Sequence, residues 1–413
     1  VLKQTEGSRA VAKAVARCRP EVIAACPVPP QTQLVDELSR LVKSGSLKPC
    51  TYVDVESAFA ALSTCVGASA AGARTCTATA SPGLLHMVEP LYNASRLGLP
   101  IVLTVANHAS GAPSNAGNDH SDTMSQRDSG WVQLYARDHQ EAADLHPQAF
   151  WLAEELSLPV MVCVDGFAPT HVRKRIKVPE QSLVDAFLPP YESRRVLDPD
   201  DPVSIGARVG PDASTEVRYL AHAKQMRALE AIPDIAAEFR RVFGRDSGGL
   251  IHPYCCDFAD TVVVALGSVL GTVCDVVDEM REAGVRIGAL GITSFRPFPL
   301  EAVRTVLGNA QRVVVLERAL AVGVGGIVSA NVRTALSGIR LDGHTVVAGL
   351  GGRPIAEESL HRLLTDAITG RLGKLTFLDL DTELVERELA RMARTRRSGP
   401  SAKNMLRDLG SDR

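Results

Sequence analysis

The carboxyl group best placed to do chemistry is Glu56, at the end of the strand-like run Thr51-Tyr-Val-Asp-Val-Glu56-Ser57. A carboxyl held out of water at a strand end has a raised pKa and can share a proton with a bound group. On residue type alone it could equally be a surface pair or the neighbour of a helix N-terminus. A second group sits in a polar loop, Asn107 to Gly130, which holds Asn118-Asp-His-Ser-Asp122 and Gln126-Arg-Asp128. Loops at the active edge of α/β sheets are often functional, so these side chains could line a site. They could also form a network that only steadies the loop. A third candidate is Gly323-Val-Gly-Gly326, where backbone N–H groups opening a helix could bind an anion. As a motif it reads equally as a tight loop against a neighbouring element.

The elements that must position these residues read as alternating strands and helices. A helix over Gly7–Cys18 precedes a strand from Glu21 to Val28, which runs into the proline-rich Pro27-Val-Pro-Pro-Gln-Thr32. Leu34, Val35, Leu38, Leu41 and Val42 recur at helical spacing. After Glu56 comes a small-residue helix from Ala58 to Ala71, then a strand from Arg74 to Ala80 that enters Ser81-Pro-Gly83. Pro82 suits the first turn of a helix reaching Ser95. Pro100–Ala106 and Pro159–Val164 are continuous apolar strands, with a helix over Gln140–Glu155 between them. Strands buried on both faces, each followed by a helix, describe a parallel, doubly wound α/β sheet. Ligands bind such sheets beyond the carboxyl ends of the strands. Thr32, Glu56, Ser81, His108 and Asp165 all fall near such ends.

The 413 residues suggest two or three domains. We divide the chain into an α/β domain over residues 1–253 whose connector spans 168–253, a second α/β domain over 254–378, and a charged tail over 379–413. The connector carries a long charged helix from about Glu216 to Phe243 and is expected to pack on the first domain. The second domain has strands near Thr261–Leu266, Arg286–Ile292, Arg312–Leu316 and His344–Leu350. Its Ser294-Phe-Arg-Pro-Phe-Pro299 segment reads as structural, with Arg296 able to reach a partner or a phosphate. The tail, with Arg394-Thr-Arg-Arg397, reads as a frayed helix or an arm on another chain.

Composition excludes several classes. A net charge of -2 and 4% aromatic residues argue against nucleic acid and anionic membranes as partners. No apolar run reaches the ~18 residues of a membrane span, and the start lacks a signal-like apolar stretch, so a cytoplasmic protein is expected. The nine cysteines form no Cys-x-x-Cys pair, which argues against zinc ribbons and iron–sulfur ligation on this chain.

Several short motifs follow one another in a single order: Pro27-Val-Pro-Pro-Gln-Thr32, Val55-Glu-Ser57, Gly67-Ala-Ser-Ala-Ala-Gly-Ala-Arg74, Thr77-Ala-Thr-Ala-Ser-Pro-Gly-Leu84, Asn118-Asp-His-Ser-Asp-Thr-Met124, Gln126-Arg-Asp128, Gly130-Trp-Val-Gln133, Val164-Asp-Gly-Phe167, Phe187-Leu-Pro-Pro-Tyr191 and Phe295-Arg-Pro-Phe-Pro299. On these the chain resembles the alpha subunit of a 2-oxoacid:ferredoxin oxidoreductase, the pyruvate:ferredoxin oxidoreductase family, over residues 5 to 370. The resemblance implies a thiamine-pyrimidine-type domain followed by a transketolase C-terminal-like α/β domain. It implies thiamine diphosphate shared with a beta subunit that holds the phosphates and Mg²⁺. Gamma and delta subunits would carry iron–sulfur clusters to ferredoxin, and coenzyme A is a possible cosubstrate. The chain fits that division, since no Gly-Asp-Gly followed 25 to 30 residues later by Asn, the diphosphate–metal motif, occurs in it.

Carried onto this sequence, Glu56 is the catalytic and cofactor-binding carboxyl. Bonded to N1′ of the aminopyrimidine, it favours the tautomer that deprotonates the thiazolium carbon. Ser81 and Gly83 are cofactor-binding, and Thr32, His108 and Pro29 face the substrate. Asn118, Asp119, His120, Asp122 and Arg127 support the site, and no metal ligand is expected on this chain. Two positions depart from the family pattern. Pro29 stands where a threonine is usual, and His108 where an arginine pairs with the substrate carboxylate. A histidine is shorter, not bidentate and only partly charged near neutral pH. Altered 2-oxoacid preference follows as an expectation. A different thiamine-dependent acyl-transfer or dehydrogenase subunit, or a non-catalytic scaffold, are the alternatives.

Overall fold

The strands predicted from apolar runs pair into two main sheets, each built around parallel neighbours. The computed structural model describes residues 3–5, 7–27, 32–111, 115, 117–166, 174–194, 196–202, 204–394 and 401–410. Pro29 lies outside them.

The first sheet has seven strands, in the order Ser294–Arg296, Val132–Ala136, Val160–Asp165, Ile101–Asn107, Thr75–Ala80, Val22–Ala25, Thr51–Asp54. All pairings are parallel except that of Ser294–Arg296 with Val132–Ala136. Thr75–Ala80 and Ile101–Asn107 are buried along their whole length, which is why they read as continuous apolar or small-residue runs. The second sheet orders Leu375–Phe377, Asp342–Val347, Arg312–Glu317, Thr261–Leu266, Ile287–Ile292 and Ile251–Tyr254, the last antiparallel. One cluster of buried apolar side chains runs through both units, from Leu103, Met124 and Tyr135 to Phe295, Val264 and Leu290.

Four features differ from the sequence expectations. Val132–Ala136, unassigned above, is a fully buried strand. Ile251–Tyr254 belongs to the second sheet, so a boundary at residue 253 falls inside a strand. The helix expected from Ser81 to Ser95 is two, Ser81–His86 and Val88–Leu97, broken at Met87. Pro90 has no N–H to give the His86 carbonyl, which ends the first segment there. In the described part of the tail, Thr382–Arg394 and Ser401–Asp408 are regular helices held together by Asn404 Nδ2 donating to Glu388 Oε1 at 3.1 Å and by an Arg391–Asp408 ion pair at 2.9 Å.

The connector divides in its packing. Its helix runs from Pro211 to Phe243. The second half buries Ala228, Ile232, Ile235 and Phe239, and Phe239 and Phe243 join an aromatic cluster with Phe187 and Trp151. The first half is exposed on all sides, with Tyr219 and Leu220 both more than half accessible. Two of the collinear motifs prove to be stitches. Arg74 pairs with Glu154 at 2.6 Å and donates to the Cys18 carbonyl at 2.8 Å and the Pro189 carbonyl at 2.9 Å, fastening Phe187-Leu-Pro-Pro-Tyr191 to the sheet.

Candidate functional site

Three strands of the first sheet end at its carboxyl edge where the chemistry-bearing residues follow. Thr51–Asp54 leads into Glu56, Thr75–Ala80 into Ser81, and Ile101–Asn107 into His108. Ser57 caps the helix Ala58–Ala70 by accepting the Ala60 N–H at 3.1 Å, and its hydroxyl also donates to Glu56 Oε1 at 3.3 Å. That cap fixes the chain direction after the strand and aims Glu56 outward. Glu56 is exposed in this chain. The dry environment expected for it is therefore absent from the chain alone. The helices that follow Glu56 and Ser81 also expose apolar side chains: Phe59, Leu85 and Val88 are each 36–40% accessible, with the Phe59 and His86 rings 6.1 Å apart.

Ser81 and Gly83, expected to contact the cofactor, both make close contacts within the chain. Ser81 is fully buried and its hydroxyl is bonded to the His108 carbonyl and, at 2.5 Å, to Asp122 Oδ2. A side chain at Gly83 would meet Thr79 Oγ1 at 2.2 Å and Ala58 Cβ at 3.2 Å. Gly83 therefore lets two helix starts approach closely. Thr32 begins the helix Thr32–Lys43, and its buried hydroxyl has no partner among the described residues. His108 is buried, with Nδ1 2.8 Å from the Ala109 carbonyl, an arrangement that places the proton on Nδ1.

The polar loop separates into two nodes. In the first, Asp122 is fully buried beneath Ser81 and His108. Its Oδ1 accepts from Asn107 Nδ2 at 2.7 Å and the Thr123 N–H at 2.6 Å, and Thr123 Oγ1 lies 2.7 Å from the Tyr135 hydroxyl. Burial raises the Asp122 pKa against the lowering effect of these neutral donors. In the second, Asp165 ends its strand and reaches into the second domain. It meets His120 Nε2 at 2.5 Å, the Ser268 N–H at 2.8 Å, the Ser268 hydroxyl, and Arg318 Nη1 at 3.2 Å. Burial would raise its pKa, but His120 and Arg318 outweigh that and hold it well below the usual carboxylate range. Asn118 and Asp119 bind the same domain through the Asn118 carbonyl to Gly352 N–H at 2.9 Å and Asp119 Oδ2 to Gly351 N–H at 3.3 Å. Arg127 stands apart, lining a groove of about 380 Å³ with Arg296 and Met226.

A cleft of about 940 Å³ opens between the domains beside Asp165 and Arg318, but neither Glu56 nor His108 lines it. Cavity size and chemistry thus point to different places. We follow the chemistry, because a half site open on the outer surface forms no cavity until something covers it. The Gly323-Val-Gly-Gly326 loop is not an anion site. The carboxylate of Glu317 already accepts the N–H groups of Ile327, Val328 and Ser329 at 2.6, 2.8 and 3.2 Å. A side chain at Gly326 would meet Glu317 Oε1 at 2.0 Å. Sequence reasoning placed Asp165 at a strand end without its partners and missed Ser268, Arg318 and Glu317 as polar nodes, since those contacts form only when the chain folds.

The residues present fit one half of thiamine diphosphate. Glu56 offers an uncovered carboxyl and Thr32 an unpartnered hydroxyl at the carboxyl edge. The donor set for a diphosphate–metal group is the part the sequence lacks.

Comparison with known proteins agrees with this division. Residues 13–237 match the family described as "Pyruvate flavodoxin/ferredoxin oxidoreductase, thiamine diP-bdg", and residues 259–360 match "Pyruvate:ferredoxin oxidoreductase core domain II". The chain is 46% identical to the pyruvate synthase subunit PorA of Methanosarcina barkeri over 391 residues, covering 92% of this chain and 97% of that one. It is 42% identical to the PorA subunit of Methanocaldococcus jannaschii, covering 88% and 94%. It is 35% identical to the ketoisovalerate oxidoreductase subunit VorA of Pyrococcus abyssi, covering 89% and 93%. Among solved structures, it superposes on 2-oxoglutarate:ferredoxin oxidoreductase from Magnetococcus marinus, solved with 2-oxoglutarate, coenzyme A and succinyl-CoA bound, with a TM-score of 0.66 at 18% identity. That match covers 88% of this chain and 65% of the other. A split-gene transketolase chain matches with a TM-score of 0.54 at 13% identity, covering 90% and 100%. Those two likenesses carry the fold, an α/β unit of the transketolase kind.

Proposed function

The chain belongs to the pyruvate:ferredoxin oxidoreductase family, and from that premise we propose that it supplies the pyrimidine-activating half of a 2-oxoacid:ferredoxin oxidoreductase. It is an oxidoreductase subunit and works with other chains. In this reading a beta-type partner carries the diphosphate and Mg²⁺, gamma- and delta-type partners carry the iron–sulfur clusters, ferredoxin takes the electrons and coenzyme A accepts the acyl group. Bound thiamine diphosphate supplies the nucleophilic carbon that attacks the 2-oxo group and the electron sink for loss of CO₂. Glu56 holds a proton at the aminopyrimidine N1′. Thr32 and His108 face the 2-oxoacid, with His108 Nε2 turned to the ligand because Nδ1 is held by the Ala109 carbonyl.

The observation that carries the reading is the exposed Glu56 carboxyl just beyond the end of the strand Thr51–Asp54, at the carboxyl edge of the first sheet. A partner covering this edge would exclude water from the carboxyl and favour its sharing a proton with a bound group. No helix of the described residues is long and apolar enough to cross a membrane. No disulfide joins the cysteines among the described residues, which supports a reducing, cytoplasmic setting.

The test is Glu56→Gln in the reconstituted complex. Loss of a positioned proton-transfer group should lower turnover by about 10²–10⁴-fold while the subunits still copurify. Unchanged turnover would remove the catalytic role. The histidine in place of arginine supports a preference for a 2-oxoacid other than pyruvate. A substrate panel checks it, and a wide margin in favour of pyruvate would sink that part.

A further inference from the structure

The contacts around Ser81 contain more acceptors than one hydroxyl can serve. Ser81 Oγ lies at hydrogen-bond distance from the His108 carbonyl and 2.5 Å from Asp122 Oδ2, and it accepts the His108 N–H at 3.2 Å. A serine hydroxyl has one hydrogen, and a carbonyl oxygen can only accept. Were Asp122 a carboxylate, Ser81 would face two acceptors with one hydrogen, leaving one short oxygen–oxygen contact repulsive. A hydrogen on Asp122 Oδ2 resolves the count. Asp122 then donates to Ser81, and Ser81 donates to the His108 carbonyl. Oδ1 becomes the carbonyl oxygen that takes Asn107 Nδ2 and the Thr123 N–H.

We propose that Asp122 is a positioning residue held as a neutral carboxylic acid, and that its hydrogen, relayed by Ser81, fixes the turn that carries His108. Resting on the reading that His108 faces the substrate, this arrangement has a second consequence. The floor of the turn carries no negative charge to repel a 2-oxoacid carboxylate. The surroundings agree from every side. Asp122 is fully buried, and the groups bonded to it from the strand ends and its own helix are neutral. The nearby titratable groups are Tyr135 and Cys163, His120 and Asp165. His120 and Asp165 are bonded to each other. No ion pair to Asp122 exists among the described residues. Burial pushes its pKa up, which favours the same protonation state.

Asparagine mimics a protonated aspartic acid in shape and donor pattern, and alanine does not. In the assembled complex, Asp122→Asn should leave kcat and KM for the 2-oxoacid within about twofold, whereas Asp122→Ala should raise KM about tenfold or more, the cost of unpaired buried partners. Equal damage from both variants would overturn the proposal. An infrared difference spectrum, wild type minus Asp122→Asn, supplies a readout that needs no substrate. A protonated-acid carbonyl band at neutral pH is expected. A difference containing only carboxylate bands would refute the neutral acid even if the 2-oxoacid reading stood, and the acid band would survive failure of that reading.

Discussion

Asp122 and Asp165 are both buried carboxyls at the carboxyl edge of the first sheet, and they belong to two regions of one polar layer. Asp122 is bonded to Ser81, Asn107 and the backbone of Thr123 and His108, all neutral groups. Asp165 meets His120 and Arg318 as well as Ser268. Burial acts on both in the same direction; at Asp122 it outweighs the bonded neutral groups and the nearby His120, whereas the directly bonded His120 and Arg318 outweigh it at Asp165. The first region is thus a hydrogen-bonded floor inside one domain, and the second an ion-paired latch between two. Sequence places their residues in neighbouring motifs, yet their electrostatics are opposite.

Removing the latch should have the largest effect. Asp165→Ala leaves Arg318 and His120 buried without their carboxylate, at a cost of about 3–5 kcal/mol in denaturant unfolding. Asp122→Ala leaves only neutral groups unpaired and should cost about 1–3 kcal/mol. Equal costs would erase the distinction between the two regions.

The pH dependence should then separate them by sign. The Asp165 pKa is depressed by folding, so its contribution is present above the unfolded value of about 3.9 and is lost as pH falls through its lower folded value. The Asp122 pKa is raised, so its contribution is full below about 3.9 and is lost as pH climbs through the elevated value. Thermal scans should show wild type gaining on Asp122→Asn between pH 8 and pH 5, by at most about 1.4 kcal/mol per pH unit. A gap that narrows on acidification would contradict the assignment.

A third buried carboxyl sharpens the rule. Glu317 has only backbone N–H donors among the described residues, and burial raises its pKa. Both its oxygens accept N–H groups, so the amide of Glu317→Gln would set one N–H against another and should cost about 1–3 kcal/mol by thermal melting, more than Asp122→Asn. A loss no larger than that of Asp122→Asn would show that a donor at this position finds an acceptor. The smallest effect expected is that of Tyr135→Phe, which removes one hydroxyl contact with Thr123 at the margin of the floor and should cost about 1 kcal/mol or less.

Much of the fold was legible because buried parallel strands write continuous apolar runs. Thr261–Leu266 and Arg312–Glu317 fall where apolar runs put strands. Val132–Ala136 escaped because it carries Gln133, a polar residue in a strand with no exposed position. That glutamine is tolerated because its Nε2 donates to the Thr123 carbonyl at 2.8 Å, a partner that only folding supplies. Ile251–Tyr254 escaped because Pro253 argues against a strand, and an edge position accepts it. The segment from Ser294 to Pro299 reads as structural in the sequence, but its sheet is not legible there: Ser294–Arg296 crosses from the second domain to pair with the first.

The sequence by itself determined the alternation of strands and helices, the family, and the position of Glu56 at the end of a strand-like run. Those depend on local periodicity and residue type, which need no partner. Only the tertiary structure decided that Ser81 turns inward, that Glu56 stands uncovered, and that Asp122 and Asp165 carry opposite electrostatics. A carboxyl's protonation depends on which donors surround it and how far water is excluded. Here those donors come from segments up to 153 residues away along the chain.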